Sequence, residues 1–211
     1  MGGVAGAPGE GARLTRWGFS LDLPRLTEGA AAVVAVPHAV VVRLTQPAAA
    51  VLDRPTGQAG RSAARRDVLA ALAERLGLLA DEALLIAGTD GMRRLGRTGL
   101  FASVAERGGW VAAVIAPVAV GIDVEAAADA DLGRDVVLAD ATVDDLSGWH
   151  GLAGVWAARE AVLKATGRDL TRDPGGWRFA AGRAAANGIA PHQIDLIALS
   201  GIVAAVAYAG G

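Results

Sequence analysis

No cysteine occurs in the chain, which excludes a disulfide framework, a thiolate metal site and a cysteine nucleophile, and accords with a reducing compartment. We therefore expect a cytoplasmic protein. Aromatic residues are few, three Phe, one Tyr and five Trp, so the core has to be built from small and branched aliphatic side chains. Long apolar runs are missing as well. The most apolar early stretch, 30–42, is too short for a bilayer, is broken by Pro37 and His38 and lies too far in for a signal peptide, so we expect a soluble protein that does not engage the membrane. Neither sign of charge dominates. With 20 basic and 22 acidic residues there is no global field to attract nucleic acid, and phosphate recognition has to be local.

What the chain does contain, in 211 residues, is enough for one domain or two small subdomains with a proper core. Residues 1–12, MGGVAGAPGEGA, are glycine-rich and are expected to form a mobile lead-in that carries no chemistry. Beyond them, branched apolar runs at 31–44, 110–115, 118–124 and 202–208 read as strands, alternating with two helical patterns. That combination predicts an α+β protein.

The two halves resemble each other. Ala63-Ala64-Arg65-Arg66-Asp67-Val68-Leu69 matches Ala157-Ala158-Arg159-Glu160-Ala161-Val162-Leu163 at an offset of 94, both on expected helices. Gly109-Trp110-Val111-Ala112-Ala113-Val114 matches Gly201-Ile202-Val203-Ala204-Ala205-Val206 at an offset of 92, both on expected strands. The shared order and near-equal offset point to two copies of one unit. We expect subdomains at 13–117 and 118–211 with a cleft where they meet.

Within the run VAVGIDVE at 118–125, strand alternation sends Ile122 and Val124 one way and Asp123 and Glu125 the other. Two carboxylates then share a face, as they also do at an ordinary solvated strand end. A third carboxylate, Glu160, lies on a helix expected from about Leu152 to Thr166, on one stripe with Trp156 and Lys164. The spacing of Glu160 and Lys164 equally fits a surface ion pair. Two strand carboxylates and one helix carboxylate suit a hard cation such as Mg²⁺ together with substrate phosphates.

The segment Gly121-Ile122-Asp123-Val124-Glu125, followed by Trp156-Ala157-Ala158-Arg159-Glu160-Ala161-Val162-Leu163-Lys164, resembles the paired signature of the 4'-phosphopantetheinyl transferases. The second half of that signature reads tryptophan, two variable residues, lysine, glutamate, a small residue, two variable residues and lysine. Length and duplication resemble the longer single-chain type that activates peptide and polyketide synthetases. The similarity covers residues 61–168, with a looser match in the last strand. It implies two pseudo-symmetric subdomains, each an antiparallel sheet packed with a long helix, working as a monomer.

By the same resemblance, Asp123, Glu125 and Glu160 bind Mg²⁺ (or Mn²⁺) with the pyrophosphate of coenzyme A. Arg61 and Arg65 fall near the positions that hold the 3'-phosphate, and Arg93 lies in the loop GMRRLGRTG where the family has glycine, lysine and proline. Guanidinium forks suit phosphate oxygens. Ser103 matches the first serine of the family's serine, histidine, serine run. The implied reaction is attack of a carrier-protein serine on the β-phosphate of coenzyme A, with release of 3',5'-ADP. Glu160, directly or through a water on the metal, would accept the serine proton, and Lys164 would neutralise or protonate the leaving phosphate. Trp156 is expected to pack the helix on the core.

The chain also departs from the family. Val104 stands at the histidine position and donates nothing, Arg159 replaces the first lysine of the helix motif, Met92-Arg93 replaces lysine-proline, and Asp169 replaces a glycine. A repurposed or weakened member that binds rather than transfers is therefore the alternative reading. A metal-dependent nuclease would use similar carboxylates but lacks the basic surface here. His38 reads as structural, and His150 and His192 as helix-start or loop histidines.

Overall fold

The computed structural model describes residues 12–13, 22–23, 32–33, 40–42, 49–53, 61–75, 78, 84–96, 98–128, 133–199 and 201–209. The expected lead-in therefore lies outside the described residues, except Ala12, which begins a short strand. The protein is α+β, with two larger sheets and few helices.

The first part of the chain contributes β1 (Ala12–Arg13) and β2 (Asp22–Leu23), which pair with each other, then β3 (Ala32–Val33), β4 (Val40–Val42) and β5 (Ala49–Asp53). Helix α1 (Arg61–Arg75) follows, then β6 (Leu85–Ala87), β7 (Arg93–Leu95), β8 (Phe101–Arg107) and β9 (Trp110–Ala116). Strands β3 to β9 form a seven-stranded sheet in the order β3-β4-β5-β9-β8-β7-β6. The apolar run at 31–44 is thus two strands paired antiparallel rather than one. Pro37, in the middle of that run, cannot donate to a ladder.

The second part holds β10 (Val120–Ala126), a short α2 (Arg134–Val137), β11 (Ala141–Val143), α3 (Gly151–Ala165), β12 (Trp177–Ala180), β13 (Arg183–Ala186), β14 (Ile189–Leu199) and β15 (Ile202–Ala209). They form a six-stranded sheet in the order β10-β15-β14-β13-β12-β11, antiparallel except for the parallel pair β11–β12. Strand β14 was not anticipated, and His192 is a buried strand residue rather than a loop histidine; its Nδ1 lies 2.8 Å from the Ala190 carbonyl. Pro191 obscured the strand. It falls where the β13–β14 register shifts between Ala184 and Ala186, a place where its missing N–H is tolerated.

Period-two alternation sorts the core. On β9, Val111, Ala113 and Ile115 pack in a cluster with Val68, Leu69 and Leu72 of α1. The intervening Ala112, Val114 and Ala116 join Ile122 and Val124 of β10 and Val206 and Tyr208 of β15. The sheets therefore pack against each other, with α1 and α3 on their far sides. Against α3 the second sheet presents Ala205 and Ala207, which meet Ala157, Ala158, Ala161 and Ala165. A helix and sheet faced with methyl groups approach closely, and the alanine content that makes the chain look unremarkable in composition sets this spacing.

Candidate metal and anion site

Strand β10 carries the first two carboxylates. Ile122 and Val124 enter the apolar cluster between the sheets, so Asp123 and Glu125 emerge on the α3 side, as alternation predicts. Both are only 6 % exposed. Glu160 reaches them from α3. Carboxylate oxygens of Asp123, Glu125 and Glu160 lie within 4.8 Å of one another, so the three expected ligands converge.

Two cations already hold the strand carboxylates. Lys164 Nζ donates to Asp123 Oδ1 at 2.5 Å and to the Ile122 carbonyl at 3.2 Å. The helical ion pair of Lys164 with Glu160 exists but is the longer contact, 3.9 Å. Arg107 Nε sits 3.1 Å from Glu125 Oε2. On the helix, Trp156 Nε1 donates to Glu160 Oε1 at 3.0 Å, so Trp156 both packs against the core beneath α3 and orients a carboxylate.

Asp123 Oδ2 is buried and accepts no hydrogen bond. Burial pushes the Asp123 carboxyl up to about 6; Lys164 pulls against that shift and the Glu160 charge adds to it. A desolvated oxygen acceptor beside two further carboxylates is the donor set that a hard divalent cation takes. The residues present fit such an ion.

The carboxylates form one wall of a cleft of about 890 Å³. Its cationic lining is Arg65, Arg93, Arg107, Lys164, Arg168 and Arg172. Of these, Arg65 pairs with Glu106 at 3.1 Å and Arg172 with Asp169 at 3.4 Å. Arg93 and Arg168 have no ion-pair partner among the described residues. They are brought together by a backbone contact: Gly91, in the turn between β6 and β7, abuts Gly167 just after α3, and a Cβ on either glycine would overlap the other's segment. Both glycines have positive φ, 80° and 68°.

Of the residues expected at a coenzyme, Arg65, Arg93 and Ser103 line the cleft, Arg93 from strand β7, where it pairs with Ala87, rather than from the expected loop, while the Arg61 side chain lies outside the described residues. Ser103 has a structural partner too, since its Oγ accepts the Ile122 N–H at 3.2 Å and so ties β8 to β10. Val104 is buried on the cleft wall. Arg159 is not part of the lining. It bonds Asp173 at 2.6 Å and Asp140 at 3.0 Å, with its guanidinium 5.4 Å from the Trp156 ring centre and 5.5 Å from that of Trp177. Asp169 caps the turn that follows by accepting from Thr171. Arg107, Arg168 and Arg172 were not singled out from sequence, because a lone arginine at a strand or helix end carries no periodic signal. His150 stands exposed at the start of α3 with φ 56°, a helix-start residue as expected. No helix among the described residues is long and apolar enough to cross a membrane.

No family model matches the sequence, and no curated protein matches it.

Proposed function

We propose that the chain transfers the 4'-phosphopantetheine arm of coenzyme A to a serine of an acyl or peptidyl carrier protein, with Mg²⁺ or Mn²⁺ held by Asp123, Glu125 and Glu160. The observation that carries this reading is the meeting of three carboxylates with Lys164 on the wall of a cleft lined by arginines. Acid groups alone would suit many cations. Acid groups beside arginines suit a cation and a phosphate-bearing ligand together.

In this mechanism Arg65, Arg93 and Arg168 bind the phosphates of coenzyme A and fix its pyrophosphate along the carboxylate wall. The divalent cation, when bound, neutralises charge on the pyrophosphate. Glu160, held by the Trp156 N–H, takes the proton of the incoming serine hydroxyl. The serine oxygen bonds to the β-phosphorus as the bond from that phosphorus to the bridging oxygen breaks, and 3',5'-ADP leaves. Lys164 supplies positive charge to the departing phosphate.

Two pseudo-symmetric subdomains belong to the same proposal. Strand order supports them: β5-β9-β8 in one sheet parallels β10-β15-β14 in the other, and a 15-residue helix lies between the first strand and the hairpin in each case. A unit present twice in one chain favours a functional monomer, in the cytoplasm where carrier proteins meet coenzyme A, with no role for nucleic acid or membrane.

A second reading has its own observation. Val104 offers no donor at the position of the family's coenzyme-binding histidine, and Arg159, at the position of a motif lysine, is turned into the Asp140 and Asp173 pair. A weakened or repurposed member that binds without transferring follows from that. Incubation with labelled coenzyme A, Mg²⁺ and a panel of apo carrier proteins separates the two. Labelled carrier protein supports transfer, whereas coenzyme binding with no labelled product supports the repurposed form.

A further inference from the structure

Building on the transferase reading, we propose that Arg107 is an anion ligand of the cleft, paired with Glu125 and passed to a phosphate group when a divalent cation takes Glu125. The site would then load cation and anion as a pair.

The placement of Arg107 follows from the hairpin. Strands β8 and β9 close on the pair Arg107 and Trp110 across a two-residue turn, Gly108 and Gly109, with φ 58° and 82°. The register fixes the Arg107 backbone at the end of β8, and the residue lines the cleft. Its side chain is 42 % exposed, so the guanidinium can turn, while the Glu125 side chain it meets is 8 % exposed and fixed by the strand. Arg107 is also the only cation that β8 contains. Ser103 uses its hydroxyl to receive the Ile122 N–H, and Val104 and Ala105 carry no polar group.

Glu125 Oε2 cannot serve a guanidinium at 3.1 Å and a divalent cation equally well, because the two positive charges would repel across one oxygen. A cation on Glu125 therefore releases Arg107 within the same cleft. A phosphate bound to that cation presents further oxygens, and a guanidinium fork fits them. Arg107 opposes the cation when no anion is present and supports it when one is, and by linkage the anion must gain from the cation what the cation gains from the anion.

That change of sign is the test. Mn²⁺ binding to the 211-residue chain is followed by water-proton relaxation, with and without a fixed excess of inorganic pyrophosphate. A protein-free blank accounts for manganese held by pyrophosphate alone. For Arg107→Ala we expect Mn²⁺ alone to bind about two- to fivefold tighter, the effect of losing an exposed competing ion pair. With pyrophosphate present, Mn²⁺ should bind about tenfold weaker, since charge-assisted bonds to the anion are gone. Arg107→Lys keeps the charge without the fork and should fall between wild type and alanine in the second condition. Shifts of the same sign in both conditions overturn the proposal, as a purely structural clamp or a simple repulsion would produce them. Unchanged affinities, or no Mn²⁺ binding by the wild type, overturn it as well. Failure of coenzyme A transfer with the sign change intact removes the transferase reading and leaves the role of Arg107 standing, whereas transfer without the sign change does the reverse.

Discussion

Gly121 on β10 lies directly beneath the Ala161 carbonyl of α3, so close that a Cβ on Gly121 would overlap that carbonyl and come within 2.7 Å of the Ala165 nitrogen. Both are helix backbone atoms and cannot rotate away. Gly121 is two residues from Asp123, and Ala161 adjoins Glu160, so this contact sets the separation of the carboxylates. Gly121→Ala should lower stability by about 3 kcal/mol, in the range of severe overpacking, and weaken Mn²⁺ binding at least about tenfold by lifting Glu160 away. Urea denaturation and a metal titration measure the two effects. Normal metal affinity in a folded variant would show that the helix is positioned by something else.

Arg159 is only 11 % exposed at its side chain and pairs with Asp173, itself 10 % exposed. Burial opposes ionisation of Asp173, but the Gly175 N–H, Arg159 and the Trp177 N–H outweigh it and hold the carboxyl below its usual range. A lowered folded value means stability that is present at neutral pH and lost as pH falls through the folded value. Arg159→Ala should therefore destabilise by about 2–4 kcal/mol near pH 7, because a buried carboxylate loses its partner, and by less in acid. Denaturant midpoints at the two pH values check this, and an equal loss at both would argue that the arginine contributes packing on the tryptophans alone.

The parts of this architecture that sequence made legible are those where one physical rule acts by itself. Alternation placed Asp123 and Glu125 on one face, and spacings of four placed Trp156, Glu160 and Lys164 on one stripe of α3; all five meet at the site. Arg159 adjoins Glu160 in sequence, yet a helix turns about 100° per residue, which carries it to the Asp173 side. Strand β14 was hidden by Pro191 and by polar residues inside it, and β8 by a run, Phe101-Ala-Ser-Val-Ala-Glu-Arg107, without clean alternation. Lys164 on Asp123 and Arg107 on Glu125 are contacts between elements far apart in the chain, for which no local pattern exists.

Asp123 makes stability depend on pH in the opposite sense from Asp173. Its folded value is about 6 against an ordinary 3.8, so between those values the folded state binds more protons than the unfolded one. Stability then falls as pH rises through the window and levels off above it. Asp123→Asn removes this dependence. With chelator present, the variant should match the wild type near pH 4 and exceed it by up to roughly 3 kcal/mol above pH 7, an order-of-magnitude figure from the size of the shift. Urea titrations across that range provide the comparison, and a pH-independent difference would contradict burial as the dominant influence on this group.

Trp156 offers a way to loosen Glu160 without disturbing the fold. Its Nε1 donates to Glu160 Oε1 at 3.0 Å while the indole body packs with the core beneath α3 and lies under Arg159. Trp156→Phe keeps an aromatic ring for packing but removes the donor, so stability should drop by only about 1 kcal/mol, the net worth of one hydrogen bond. Glu160 would then sample orientations away from Asp123 and Glu125. Mn²⁺ affinity should fall several-fold, and, if the chain transfers phosphopantetheine, kcat should fall by about tenfold with KM for the carrier protein nearly unchanged. A purely structural tryptophan would give a different result, with lower stability and unaltered metal affinity and kcat in the fraction that remains folded. Calorimetric metal titration beside steady-state transfer kinetics on the same preparation distinguishes these outcomes, and full metal affinity in Trp156→Phe would remove the tryptophan from the account of the site.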